Sequence, residues 1–134
     1  MLSYRHAFHA GNFADVLKHS VLCLIINALK KKDKPFVCID THAGAGKYAL
    51  NSANAQKTAE YLQGVALLDP LKSNPHPLLK DYIACIRSLN SQNLNVYLGS
   101  PFLMTYLMRP QESYASADRS ECAGSGRSKI EASE

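Results

Sequence analysis

The feature that most constrains this chain is a run of four apolar residues, Phe36-Val37-Cys38-Ile39, that ends on an acid and a small-residue turn, Asp40-Thr41-His42-Ala43-Gly44-Ala45-Gly46. A short apolar run without alternation is the pattern of a strand buried on both faces, which is the environment of a parallel sheet covered by helices. The sequence therefore predicts an α/β fold. Small residues after the strand let a ligand approach the backbone, and a helix following at once would favour a negative group at its N-terminus. In open α/β sheets, ligands bind in the crevice at the carboxyl ends of the strands.

The flanking sequence supplies the other elements. Asn12 can cap a helix in which Phe13, Val16, Leu17, Val21, Leu24, Ile25, Ala28 and Leu29 recur at spacings of three and four, and which ends in Lys30–Lys34 before Pro35. The stretch from Lys47 to about Leu68 reads as helical in pieces, and Asp69-Pro70 breaks it. Leu78, Leu79, Tyr82, Ile83, Ile86 and Leu89 resume helical spacing up to Asn90, so two helices are expected to form a small subdomain. Asn95-Val96-Tyr97-Leu98 is a short extended candidate. Gly99-Ser100-Pro101 has the form of a turn, an N-cap and a first helical position ahead of Phe102–Met108.

From Glu112 onward serines recur among small and charged residues, and Ile130 is the only aliphatic residue larger than alanine. So little apolar surface does not offset the entropy of ordering, and this tail is expected to be mobile. The chain thus divides into residues 1–56 (first helix, strand and loop), 57–93 (helical insertion), 94–111 (return to the core) and 112–134 (disordered tail).

Charge and cysteine usage limit the function classes. Net charge is +4, and residues 1–47 carry seven basic side chains against Asp15, Asp33 and Asp40, whereas residues 48–134 carry eight of each sign. A basic front suits phosphate backbones, although Lys30, Lys31 and Lys32 could equally complement a helix C-terminus. Cys23, Cys38, Cys85 and Cys122 form no Cys-x-x-Cys pair and are expected to be reduced, and the histidines, His6 and His9 included, lack a metal-binding partner set. No apolar run reaches the length of a membrane span, and no signal peptide opens the chain. The expected setting is the cytoplasm, with neither metal nor membrane as partner.

Three ligand chemistries compete for the Asp40–Gly46 turn. A nucleoside triphosphatase loop would use Gly46-Lys47, but Thr41 stands for its first glycine and Tyr48 for the magnesium-binding hydroxyl. A dinucleotide fingerprint begins at Gly44-Ala45-Gly46 and is not completed. The methyltransferase form, an acid followed by alternating glycines, matches at Asp40, Gly44 and Gly46, with His42 where a first glycine usually falls. An unliganded strand-to-helix turn is the remaining possibility.

Longer motifs separate these. Met1-Leu2-Ser3-Tyr4-Arg5-His6, Phe8-His9-Ala10-Gly11-Asn12, Ala14-Asp15-Val16-Leu17-Lys18-His19, Lys32-Asp33-Lys34-Pro35-Phe36, the Asp40–Gly46 turn, Glu60-Tyr61-Leu62 with Gly64, and Gly99-Ser100-Pro101 together resemble the bacterial ribosomal RNA large subunit methyltransferase J family over roughly residues 1–111. The resemblance implies a Rossmann-like core with a helical insertion and S-adenosylmethionine as cofactor. It further implies 23S rRNA as partner and methylation of an adenine at N6. By the same resemblance His19, His42 and Ser100 contact the donor together with Asp40 and Gly44, and Tyr4 lies where RNA approaches.

Two departures qualify it. Family members continue, after the helix that begins near Pro101, into a strand ending in an acid before Leu-His-Pro. This chain reads Glu112-Ser113-Tyr114-Ala115-Ser116-Ala117-Asp118-Arg119-Ser120, with no apolar strand before Asp118. The family's catalytic Asp-Pro-Pro-Tyr loop, which holds a flipped adenine, is also absent, since Asp69-Pro70-Leu71-Lys72 has neither the second proline nor the aromatic ring. No catalytic residue is identified, and the core is expected to be an incomplete methyltransferase fold with negligible turnover, the chain being truncated or its tail read out of frame. A non-catalytic RNA-binding fragment and a nucleoside triphosphatase are the alternative functions.

Overall fold

In the computed structural model, residues 5–116 are described. Helix α1 spans Phe13–Lys30, and Asn12 caps it by accepting the backbone N–H of Asp15 at 3.0 Å. Gly11 sets the entry: its φ of +78° is left-handed, and a Cβ there would meet Val65 at 3.0 Å. The face that α1 buries is not the apolar stripe. Asp15, His19, Ser20, Cys23 and Ile26 point inward, while Phe13, Leu17, Val21, Leu24, Ile25 and Leu29 are exposed. Periodicity located the helix, but its apolar stripe is not the face it buries, because the inward polar groups have hydrogen-bond partners from other elements.

Strand β1, Val37–Asp40, follows in the expected place. Its partner is β4, Ser113–Ser116, running parallel with Val37 opposite Ser113 and Asp40 opposite Ser116. This corrects, for residues 113–116, the expectation of a structureless tail from residue 112, although the strand is not the apolar one found missing before Asp118. Ser113-Tyr114-Ala115-Ser116 carries no apolar run to announce it. Its backbone ladder to β1 and the packing of Tyr114 against the core supply what its side-chain pattern lacks. Asp118 and the rest of the tail lie outside the described residues. The turn before β4 is fixed by Glu112, which accepts Arg109 Nε at 2.6 Å, while Arg109 also donates to the backbone oxygens of Lys30 and Lys32. β1 itself departs from expectation, with Val37 and Ile39 exposed and only its alternate residues turned to the core.

After Gly46 the chain does not enter a helix. Lys47–Ala49 is strand β2, antiparallel to β3, Val96–Leu98, with Tyr48 opposite Tyr97. The helical reading from Lys47 fails here because a cross-strand partner that is distant in sequence decides the backbone. Helix α2, Ala53–Thr58, is capped by Ser52, and two 3-10 turns at Glu60–Gln63 and Val65–Leu68 lead to the Asp69-Pro70 break. Helix α3, Lys80–Leu89, and helix α4, Ser100–Leu107, complete the set.

The excursion from β2 to β3 is closed by their pairing, so the boundaries expected at residues 57 and 93 fall inside it. It is not a separate subdomain in packing. Tyr82, Ile83 and Ile86 of α3 share one buried cluster with Cys23 and Ile26 of α1, Leu98 of β3 and Leu103 of α4. Asn90 joins α3 to β3 by accepting the N–H groups of Asn95 and Val96 and donating to the carbonyls of Ile86 and Val96. Four hydrogen bonds on one buried amide make it a fixed corner between the excursion and the core.

Candidate functional site

β1 delivers Asp40 at its carboxyl end, and α4 delivers Ser100 in its first turn. The Ser100 hydroxyl donates to Asp40 Oδ2 at 2.8 Å, and the backbone N–H of His42 donates to Asp40 Oδ1 at 3.1 Å. Ser100 is therefore not the helix cap expected from Gly99-Ser100-Pro101. Gly99 occupies the cap position, and the hydroxyl serves the carboxylate instead. The turn is further drawn onto the start of α4 by Gly99 N–H donating to Gly46 O at 2.8 Å. Glycine at 99 is required by this approach, since a Cβ would lie 2.0 Å from Ala45 O; at Gly44 it would lie 2.4 Å from the Tyr48 hydroxyl. Thr41, His42 and Gly44 remain exposed, with Asp40 and Ser100 half-buried behind them.

A buried polar chain links α1, β3 and α3. His19 Nδ1 shares a hydrogen bond with the Tyr97 hydroxyl at 2.8 Å, which in turn meets the Tyr82 hydroxyl at 2.9 Å. Burial pushes the His19 pKa down to about 4, against the partly opposing attraction of Asp15, so the ring is neutral at pH 7. Burial also raises the ionisation of both tyrosines well above the usual phenol range, which leaves the chain uncharged.

Beside it, Asp15 is buried and bound by His6 Nε2 at 2.8 Å, Lys18 Nζ at 2.9 Å and the backbone N–H of Gly11 at 3.0 Å. Burial alone would raise its carboxyl, but these partners win and hold it below the usual carboxylate range. The His6 ring also packs edge-on against Tyr48, 5.2 Å between centroids, which links the N-terminal segment to β2.

The structure thus brings Asp40, His42, Gly44 and Ser100 together. His19 stands apart from them, 1% exposed and tied to Tyr97. Tyr4 lies outside the described residues. Asp15, Tyr48, Tyr82 and Tyr97 are the residues that sequence reasoning missed as parts of this neighbourhood. Their partners are brought in by folding, and no local spacing signals them.

Two other readings lose support. Lys47 lies over the Phe102 ring, 5.0 Å from its centroid, in a strand, whereas a nucleotide loop runs into a helix N-terminus with its lysine on phosphate. Lys30 donates to Leu107 O at the end of α4, so part of the basic front complements a helix terminus, that of a neighbouring helix. Among the described residues no cluster of three His, Cys, Asp or Glu side chains could hold a metal, and no helix is long and apolar enough to cross a membrane. Cys23, Cys38 and Cys85 are free thiols, and burial pushes the first and last up to about 12.

An acid at the end of a parallel strand, a glycine turn, and a helix start that hydrogen-bonds back to the acid define an α/β fold of the methyltransferase type. The family model described as ribosomal RNA large subunit methyltransferase D, RlmJ, matches residues 33–122, and the chain belongs to that family. The match runs past residue 111, so residues 112–122 are family sequence rather than part of an unrelated tail. The chain is 53% identical over 114 residues to the ribosomal RNA large subunit methyltransferase J of Escherichia coli and 46% identical to that of Haemophilus influenzae. Each alignment covers 84% of this chain and 40% of the relative, so the chain spans well under half the length of the curated relatives it matches. A crystal structure of a Legionella pneumophila protein superposes with a TM-score of 0.73 at 35% identity, covering 81% of this chain and 39% of that one.

Proposed function

We propose that this chain carries the methyl-donor side of an S-adenosylmethionine-dependent enzyme acting on adenine N6 of 23S rRNA, in the bacterial cytoplasm where ribosomal RNA is found. The observation that carries the reading is the Ser100–Asp40 hydrogen bond, which joins residues 60 apart in sequence at the carboxyl end of β1. A donor with a cationic sulfonium, an ammonium group and a hydroxylated sugar needs a carboxylate, a hydroxyl and a close backbone. Asp40, Ser100 and the exposed turn at His42 and Gly44 fit that need, with the Asp40 carboxylate accepting from the Ser100 hydroxyl at the N-terminal end of α4. When bound, the donor supplies an electrophilic methyl group.

The role of this chain's own residues is to bind and orient: Asp40 and Ser100 hold the donor's polar end, His42 flanks it, and the buried His19–Tyr97–Tyr82 chain ties α1 to β3 and α3. Tyr4 is assigned to the RNA side on the family resemblance alone. Extraction of the target base and alignment of its amino group need the Asp-Pro-Pro-Tyr segment, which is not among these 134 residues.

Equilibrium dialysis with labelled S-adenosylmethionine tests the binding half. The wild-type chain is expected to retain donor, and Asp40→Asn and Ser100→Ala to weaken it by roughly tenfold each, the value of a lost charge-assisted hydrogen bond. Retention by both variants equal to wild type would sink the assignment. Incubation of the same chain with unmodified 23S rRNA is expected to give negligible methyl transfer, and clear transfer would overturn that part.

A further inference from the structure

We infer that Tyr48 is a positioning residue of the donor site: its side chain is the seat of the Asp40–Gly46 turn, and residue 44 is glycine in order to admit the Tyr48 hydroxyl. The inference rests on the donor-site reading above and adds to it a residue outside the turn. β2 leaves Lys47 and Ala49 exposed and turns Tyr48, between them, toward the core cluster. That strand side chain is the one Gly44 meets.

A left-handed backbone does not explain the glycine at 44. Among the described residues Gly11 is the glycine with positive φ, and Gly44 is not. What demands glycine is space. A Cβ at Gly44 would lie 2.4 Å from the Tyr48 hydroxyl oxygen and 3.8 Å from its Cζ, and apart from chain neighbours these are the described atoms within 4 Å of it. Gly44 is otherwise exposed, so the tyrosine alone sets the limit.

The tip of a free side chain would swing aside for a methyl group, but this ring is held on several sides. The backbone of β2 is fixed at both ends, by Gly99 N–H donating to Gly46 O at 2.8 Å and Leu50 N–H donating to Asn95 O at 2.8 Å. The start of α4 lies against the ring, since a Cβ at Gly99 would come 3.3 Å from Tyr48 Cε2. The His6 ring packs edge-on against it, 5.2 Å between centroids, and His6 is itself held by Asp15 at 2.8 Å. Two glycines distant in sequence thus make room for one ring, and β3, α4 and the N-terminal segment fix where it sits. Binding groups must be held to within roughly half an ångström by side chains locked in place, and Tyr48 does this for the turn that carries His42 and follows Asp40.

The test compares wild type, Gly44→Ala, Tyr48→Phe and the double variant by equilibrium dialysis with labelled S-adenosylmethionine. Gly44→Ala should weaken donor retention by roughly tenfold in the wild-type background and by less than about twofold in the Tyr48→Phe background, where the ring remains and the oxygen that the methyl would strike is gone. An equal loss in both backgrounds, as a methyl group striking the donor itself would give, or no loss in either, would overturn the inference. Hydrogen exchange at the Gly99 amide, bonded to Gly46, repeats the comparison without donor. Exchange should be faster in Gly44→Ala and recover in the double variant, and equal exchange in all four proteins would count against Tyr48. If the wild-type chain retains no donor, the donor-site reading fails and the exchange comparison alone decides the role of Tyr48. Should Gly44→Ala not fold, recovery of its circular dichroism by Tyr48→Phe supports the seat, and persistent unfolding refutes it.

Discussion

Acidification should destabilise this chain through His19. The ring is 1% exposed and neutral, with a pKa held at about 4 by burial, whereas an unfolded imidazole titrates near its ordinary value of 6.5. The unfolded state therefore binds the extra proton first, and the stability associated with a neutral His19 is fully present above about pH 6.5 and is lost as pH falls toward 4. Over that window the linkage relation gives a loss of about 2 kcal/mol between pH 7 and pH 5, a large share of the stability of a small domain.

Urea denaturation followed by circular dichroism at several pH values between these limits measures it, and His19→Gln supplies the comparison. The variant should be less stable than wild type at pH 7, because the Tyr97 hydroxyl loses its geometry, yet it should lose much less stability on acidification. If wild type and His19→Gln fall in parallel from pH 7 to pH 5, the buried neutral imidazole is not the cause and the reasoning from the Tyr97 chain is wrong.

Two further outcomes follow from the same neighbourhood. Asp15→Asn leaves His6 and Lys18 without a carboxylate at a buried position and should cost about 2 kcal/mol at pH 7 by thermal denaturation. Because the folded carboxyl lies below its ordinary value, that contribution is present above about pH 4 and vanishes as pH drops further, so the variant and wild type should converge in acid. Gly99→Ala places a methyl group 2.0 Å from Ala45 O, and the backbone must part to admit it. A loss of about 2 kcal/mol together with weakened donor retention is expected, and an unchanged melting temperature would show that the turn does not sit on α4 as described.

Much of the architecture could be read locally. Asn12 before an apolar-periodic stretch gave α1, Phe36–Ile39 gave β1, and Asp69-Pro70 gave the break, since capping, apolar clustering and proline geometry act within a few residues. The sequence also singled out Asp40, His42, Gly44 and Ser100, which the fold gathers into one place. What it could not decide were outcomes of partners distant along the chain. β4 exists because β1 offers a ladder to Ser113–Ser116, and Lys47–Ala49 is extended because Val96–Leu98 lies alongside.

The face that α1 buries belongs to the same class of outcome. Asp15 and His19 turn inward only because His6, Lys18, Gly11 and Tyr97 are there to bind them, and the apolar stripe is left outward. Periodicity records that a helix has an apolar side. Only the tertiary structure decides what that side meets, because burial is a property of the surfaces brought against it, and the free energy of a polar group's burial depends on partners that no local spacing reveals.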